Sequence, residues 1–223
     1  MKAEPMRIAL GHPSCPGVLR GLAAQMRALK ADQPLRLTLP PVTPTLDKDV
    51  DEILRIAQAF SDVEIAANDW GTLARLSEWK KTRAPKLTLI LGVLLSAQDT
   101  DPVLDTFLSP QPENAVRAGQ EAVTLRWAPP PEALRQHWAT PSAFHWTPLL
   151  REMGVDAVEL GLQPLPLTDA DGRMPIRAYP FGVLSVMPCR GNCALCGGPD
   201  AVRAGRRLFF DRNLLLWEEA DQR

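Results

Sequence analysis

The chain has no run that approaches the ~18 uninterrupted apolar residues of a membrane-crossing helix, so an integral membrane function is not expected. Residues 1–6 include a lysine but no apolar core of a secretion signal, which points to a cytoplasmic protein. Charge of one sign is also missing. The 25 basic and 26 acidic residues cancel almost completely, and no global field draws the protein to DNA, RNA or an anionic surface. A local basic patch is best sought at Arg203, Arg206 and Arg207, which also read simply as a solvated turn between two strands. There is no Ser/His/Asp signature, no glycine-rich phosphate loop and no His-Glu-x-x-His pair, which leaves a hydrolase without an identifiable nucleophile or zinc helix. The tryptophans, among them Trp127, Trp138 and Trp146, lack the interleaved basic residues of a base-stacking platform and read as core or interface anchors.

Cysteine is scarce, with 4 in 223 residues, and the distribution is uneven. Three of the four fall in Cys189-Arg-Gly-Asn-Cys193-Ala-Leu-Cys196, followed by glycines that let the backbone turn around a centre. Such crowding makes a poor disulfide framework and a good metal loop, because thiolates must converge at short range while nearby amides remain free to donate to sulfur. Zinc and an iron–sulfur cluster both call for a fourth ligand or leave a vacancy. Cys15 and His12, in Gly11-His-Pro-Ser-Cys-Pro-Gly17 just after the first apolar segment, are the two candidates. The same cysteine spacing occurs in radical S-adenosylmethionine enzymes. Here it lies near the C-terminus, with Leu195 where those enzymes usually carry an aromatic, and that reading is set aside.

The 22 prolines punctuate apolar runs, clustering at 40–44, 110–112, 129–131 and 164–166. Between them the pattern predicts strands at 6–10, 35–39, 63–67 and 86–92, with helices at 18–29, 46–60 and from Asp69, a natural cap, through Leu76. This alternation argues for a parallel sheet with right-handed crossovers. Further on, a strand at 122–127, an amphipathic stretch at 131–138, a helix at 148–153 closed by Gly154, strands at 155–160, 174–181 and 183–187, and a hairpin about Asp211-Arg-Asn213 are expected. The whole chain, 1–223, reads as one α/β domain of the (β/α) TIM-barrel-like type, partial or irregular because it is shorter than the ~250 residues typical of that fold, with residues 188–198 as a metal-binding cysteine loop and a C-terminal hairpin.

In such a barrel the C-terminal ends of the strands share one face, where Cys15 and Cys189 would meet. Asn68, Asp69, Gln98, Asp99 and Glu159 fall at predicted strand ends on that face and are candidates to position a substrate. Asp69 reads first as a helix cap, and Asp99 and Asp101 also read as turn residues before Pro102. Glu159, flanked by Val158 and Leu160 in an apolar strand, either faces a polar cavity or needs a partner.

Three stretches resemble the collagenase-like peptidase family of unknown catalytic type, peptidase family U-32: Val63-Glu-Ile-Ala-Ala-Asn-Asp-Trp-Gly-Thr-Leu73, Leu89-Ile-Leu-Gly-Val-Leu-Leu-Ser-Ala-Gln-Asp-Thr-Asp-Pro102, and Gly154-Val-Asp-Ala-Val-Glu-Leu160 followed by Pro175-Ile-Arg-Ala-Tyr-Pro-Phe181 and the cysteines. Together they cover about half of the chain, in the order in which they run in that family. The resemblance implies a barrel-like fold, a four-iron, four-sulfur cluster held by Cys15, Cys189, Cys193 and Cys196, and oxygen-independent hydroxylation of a small molecule or an RNA base, in some relatives within a heterodimer of related chains. Peptidase activity is the family's older label. The chain looks like a short, divergent member, with late cysteines more tightly spaced than the family's. The alternative function, from a different class, is a non-catalytic zinc-stabilised protein whose cysteine loop staples the C-terminus or binds a partner.

Overall fold

The computed structural model describes residues 7–96, 114–118, 121–125, 146–161, 174–186, 201–203, 206–212 and 214–219. Its frame is a six-stranded, all-parallel sheet in which the first four strands are laid down in chain order: β1 (Ile8–Gly11), β2 (Leu35–Leu39), β3 (Val63–Ala67) and β4 (Thr88–Leu91). Helices α1 (Pro16–Arg27), α2 (Asp47–Ala57) and α3 (Trp70–Arg83) connect them, and the short α4 (Val93–Ser96) leaves the end of β4. A hairpin of β5 (Asn114–Ala118) and β6 (Glu121–Leu125) and the helix α5 (Thr147–Glu152) follow. The sheet then resumes with β7 (Ala157–Leu160) and β8 (Ile176–Ala178), in the order β1-β2-β3-β4-β7-β8.

The helices form where the sequence gives them a stripe and an entry. In α1, Leu19, Leu22, Ala23 and Met26 are buried at helical spacing and Pro16 sits in the first turn, where its missing N–H costs nothing. In α2, Val50, Ile53, Leu54 and Ala57 form the buried stripe behind Asp47 and Asp49 in the first turn. The helix expected to begin at Leu46 instead begins one residue later, because Pro44–Leu46 closes a separate 3₁₀ turn. Gly154, with φ +73, supplies the left-handed residue that ends α5, as expected.

Strand alternation then divides the sheet's two faces. Leu35, Leu37 and Leu39, together with Val63, Ile65, Leu89, Leu91, Val158 and Leu160, pack in one apolar cluster with the helices. The other face carries Arg36, Thr38, Glu64, Ala66, Ile90, Ala157, Glu159 and Arg177, on the opposite side of the pleat. That face is concave. Arg36 on β2 forms an ion pair with Glu159 on β7, and Arg177 on β8 reaches Glu64 on β3 at 3.0 Å. Two strands intervene in each case, and flat spacing would put the backbones ~14 Å apart. The sheet is therefore curled into an open half-barrel with β1 and β8 as its edges, the partial barrel that the alternating pattern predicts.

After β8 the chain enters a second sheet, antiparallel, in the order β10-β11-β12-β9, formed by β9 (Gly182–Val186), β10 (Ala201–Arg203), β11 (Arg206–Asp211) and β12 (Leu214–Glu219). The expected tail hairpin is β11–β12. It is part of a larger sheet because β9 pairs with β12, Val186 opposite Leu214, and β10 adds to β11. Arg212 at the hairpin tip has φ +55, as a tight primed turn requires. Val183, Leu214 and Leu216 pack on Val93, with Tyr179, Phe181 and Phe209 around them, which docks this sheet at the C-terminal rim of the half-barrel. Arg203 and Arg206 are cross-strand neighbours at the end of β10–β11, so the basic cluster spans a strand connection, and Arg207 pairs with Glu218 at 2.9 Å. The strand expected over 174–181 is limited to Ile176–Ala178, and of the strand expected over 122–127 the described part lies within β6 (Glu121–Leu125). The amphipathic stretch 131–138, Trp127 and Trp138 lie outside the described residues. Trp146 is no core anchor: it is 51% exposed and meets Trp70 edge to face at 6.4 Å. No helix among the described residues is long and apolar enough to cross a membrane.

Candidate functional site

Because the six strands are parallel, their C-terminal ends and the loops that follow them share one rim. A cavity of about 350 Å³ opens there, lined by Gly11 at the end of β1, His12 and Pro13 after it, Arg36 and Thr38 of β2, Glu159 of β7, Tyr179 after β8, and Asp211 from the hairpin tip. A larger cavity, about 440 Å³, lies at the opposite end, between the C-terminal ends of α2 and α3. Its polar lining, Gln58, Ser61, Arg83 and Lys86, is exposed, whereas the rim cavity holds buried titratable groups. Buried groups of this kind need a reason to be there, so the rim cavity is the candidate site.

The β1–α1 loop shapes one wall. Gly11 has φ +100, and a Cβ there would run into the Thr38 carbonyl oxygen, so only glycine lets the loop fold against β2. His12 is held by its backbone, N–H to Thr38 O at 3.1 Å, and by its ring. The backbone N–H groups of Ser14 (3.2 Å) and Cys15 (3.1 Å) both donate to His12 Nδ1. Backbone amides can only donate, so Nδ1 carries a lone pair and the neutral ring bears its proton on Nε2. Nε2 lies 3.3 Å from Asp211 Oδ2 but outside hydrogen-bond geometry, and it is a buried donor without an acceptor. Burial lowers the His12 pKa, and the attraction of Asp211 does not offset it. Cys15 follows as the N-cap residue of α1, a free thiol 2% exposed, with Arg212 Nη1 at 4.0 Å from Sγ.

The other walls come from the charged inner face. Glue between β2 and β7 is the Arg36–Glu159 pair, with side chains 18% and 3% exposed. Glu159 Oε2 also accepts the Val93 N–H at 3.2 Å, and the Glu159 carbonyl accepts from Ser96 Oγ. Burial raises the Glu159 pKa despite the Arg36 charge beside it. Glu64, beneath, is met by Arg177, by Arg7 at 3.5 Å and by Arg36 at 3.8 Å. Tyr179 is pushed up by burial and by the charges of Asp211 and Glu159.

Among the residues expected on this face, Glu159 does both things its sequence position demanded: it lines a polar cavity and has a cationic partner. Asn68 and Asp69 do not line the cavity. Asn68, 2% exposed, donates to Leu39 O at 2.9 Å and accepts from Leu94 N–H at 3.0 Å, tying β2 to α4. Asp69 caps α3 by accepting the Thr72 N–H at 2.8 Å and takes the Val42 N–H at 3.1 Å with its other oxygen. Both are structural clamps. Gln98, Asp99 and Asp101, and Cys189, Cys193 and Cys196, lie outside the described residues. Among the described residues no group of three or more His, Cys, Asp or Glu side chains could hold a metal.

Arg36, Thr38, Tyr179 and Asp211 were not singled out from the sequence. Arg36 and Thr38 had a signal, since they are the polar positions of an alternating strand whose apolar face packs on helices. Asp211 had none, because the sequence shows a turn but not where the turn lands. No protein-family model, no curated protein and no solved structure matches this chain.

Proposed function

We propose that this chain is an iron–sulfur protein similar to the U-32 family, in which Cys15, Cys189, Cys193 and Cys196 hold a four-iron, four-sulfur cluster beside the rim pocket, and that it acts in an oxygen-independent hydroxylation or related redox modification in the cytoplasm. The observation that carries the reading is the register of the second sheet. Val186, the last residue of β9, pairs with Leu214, three residues beyond Asp211, which faces His12. Cys189 follows Val186 by three residues, an extended span of at most ~10 Å. The chain that carries the three late cysteines thus starts out beside the hairpin tip that covers Cys15.

The donor set suits the group. Cys15 is buried at the amide end of α1, with the Arg212 guanidinium nearby, and positive surroundings of this kind favour an anionic thiolate-ligated cluster. His12 is the poorer fourth ligand. A ligating histidine keeps N–H on its other nitrogen, and here Nδ1 faces two N–H donors and cannot carry one. When bound, a cluster with all four irons ligated by cysteine would supply one-electron transfer. The chain's own residues would do the rest. Arg36 and Glu159 set the polarity of the floor, the His12 Nε2–H and the Tyr179 hydroxyl are hydrogen-bond donors toward a substrate, and the β11–β12 hairpin limits access of water.

Anaerobic purification with iron and sulfide analysis, absorption and EPR spectra tests this. The expected protein is brown, with about four irons and four sulfides per chain, and Cys15→Ser loses most of both. A colourless chain with one zinc would replace the proposal with the zinc-stapled alternative. Full iron and sulfide in Cys15→Ser would remove Cys15 from the ligand set.

A further inference from the structure

The rim pocket is lined by hydrogen-bond donors that the protein leaves open. His12 Nε2–H, on a side chain 7% exposed, has no acceptor in hydrogen-bond geometry. The hydroxyls of Thr38 and Tyr179, both in the lining, make no hydrogen bond among the described residues. Arg36 uses Nη2 on Glu159, while its Nη1 is 3.8 Å from Glu64 Oε2, beyond hydrogen-bond reach. On the acceptor side, both oxygens of Glu159 are already engaged, by Arg36 and by the Val93 N–H. The buried His12 donor is desolvated without a partner, so the pocket gains when an acceptor-rich group enters it.

One carboxylate is already close to that position. Asp211 places Oδ2 3.3 Å from His12 Nε2, yet its side chain is 46% exposed and makes no hydrogen bond there. We infer that the rim pocket binds a small carboxylate, whose oxygens take the donors of His12, Thr38, Tyr179 and Arg36, and that Asp211 stands in its place when no ligand is bound. Asp211 can turn to solvent when the ligand arrives. The negative charge of Glu159 is offset by Arg36, so the incoming anion meets no uncompensated charge in the floor. The cavity of about 350 Å³ limits the ligand to roughly the size of a single ring or a short chain. A carboxylate is favoured over a neutral carbonyl because Arg36 Nη1 is open to it, and charge-assisted hydrogen bonds are the stronger ones. This inference rests on the rim pocket being the substrate site of the proposed function, and on nothing about the metal.

The test is ligand-observed NMR titration of the anaerobically purified chain with acetate, succinate and benzoate, each beside its amide, with iron, sulfide and zinc measured on the same sample. At least one acid should bind saturably, at least tenfold tighter than its amide. Thr38→Val and Tyr179→Phe should each weaken that acid about fivefold, the equivalent of one hydrogen bond, and Asp211→Ala should tighten it about fivefold. Urea midpoints confirm that each variant is folded. Equal binding of acid and amide, no saturable binding of any acid by the folded chain, or indifference to Thr38→Val and Tyr179→Phe together would overturn the inference. A chain that binds the acid without iron or sulfide keeps the inference and loses the iron–sulfur reading. A chain with a full cluster and no acid binding loses only the inference.

Discussion

Removing Arg36 should damage the fold far more than removing the charge it neutralises. In Arg36→Met, Glu159 remains 3% exposed, without the cation that faces it on β2. Breaking a buried pair from one side costs ~3–5 kcal/mol. With a urea m-value of ~2 kcal/mol/M the midpoint should fall by ~1.5–2.5 M. Glu159→Gln is the contrasting case. Burial raises the Glu159 pKa even with Arg36 present, which means that desolvation of the carboxylate outweighs the attraction. A neutral isostere should therefore cost less than ~1 kcal/mol, and the double variant should recover more than ~2 kcal/mol of the Arg36→Met loss. The pH dependence follows from the same direction. A folded pKa above the unfolded one gives stability that is complete below the ordinary carboxylate range and is lost as pH rises through the folded value. Wild type should thus lose ground to Glu159→Gln as pH rises through that window, and Arg36→Met should show its smallest deficit at acid pH. Urea melts of the four proteins at several pH values decide the matter. A double variant no more stable than Arg36→Met, or equal losses in the two single variants, would refute the reasoning.

The clamps and the tight loop give simpler expectations. Asp69→Ala removes the acceptor for Thr72 and Val42 N–H and should cost ~1–2 kcal/mol in the same urea assay, with Asp69→Asn recovering much of it; no loss in the alanine variant would contradict the cap. Asn68→Ala leaves Leu39 O and Leu94 N–H unsatisfied at a buried strand end and should cost ~2–3 kcal/mol, while a loss below ~0.5 kcal/mol would mean that water replaces the amide. Gly11→Ala combines φ +100 with the Thr38 carbonyl in its path, and a loss of roughly 3 kcal/mol or more is expected; a wild-type melt would show that the loop can move away.

The half-barrel was legible because its signals are local and agree with one another. Leu35, Leu37 and Leu39 alternate with Arg36 and Thr38, Val50 to Ala57 repeat at helical spacing, and Asp69 stands where α3 must begin. Glu159 was legible as an anomaly, a carboxylate in an apolar strand. Its partner was not, since Arg36 lies 123 residues away and meets it only through the curl of the sheet. The place of Asn68 and Asp69 at a strand end is visible in sequence and suits a substrate role, or for Asp69 a helix cap; the backbone groups of β2, the loop after it and α4 that consume their other hydrogen bonds are not visible there. The second sheet was read only as a hairpin because the pairing of β9 with β12 joins segments separated by the cysteine loop.

The polar inner face follows from the barrel being incomplete. A closed eight-stranded barrel fills its centre with layers of branched apolar side chains contributed from all around the ring. Here the described sheet ends at β1 and β8, so the ring that would supply such layers from all sides is not complete among the described residues. The sequence instead places Arg36, Glu64, Glu159 and Arg177 there, in opposite pairs across the curl, with only Ala66, Ile90 and Ala157 forming a small apolar patch between them. Such pairs contribute little net stability, but each needs its partner from the far side of the sheet, so they specify the curvature. The same curvature brings the β1 loop, β2, β7 and the β8 loop around one cavity. A charged interior that fixes the shape of the half-barrel is thus also what gives its mouth a set of oriented donors.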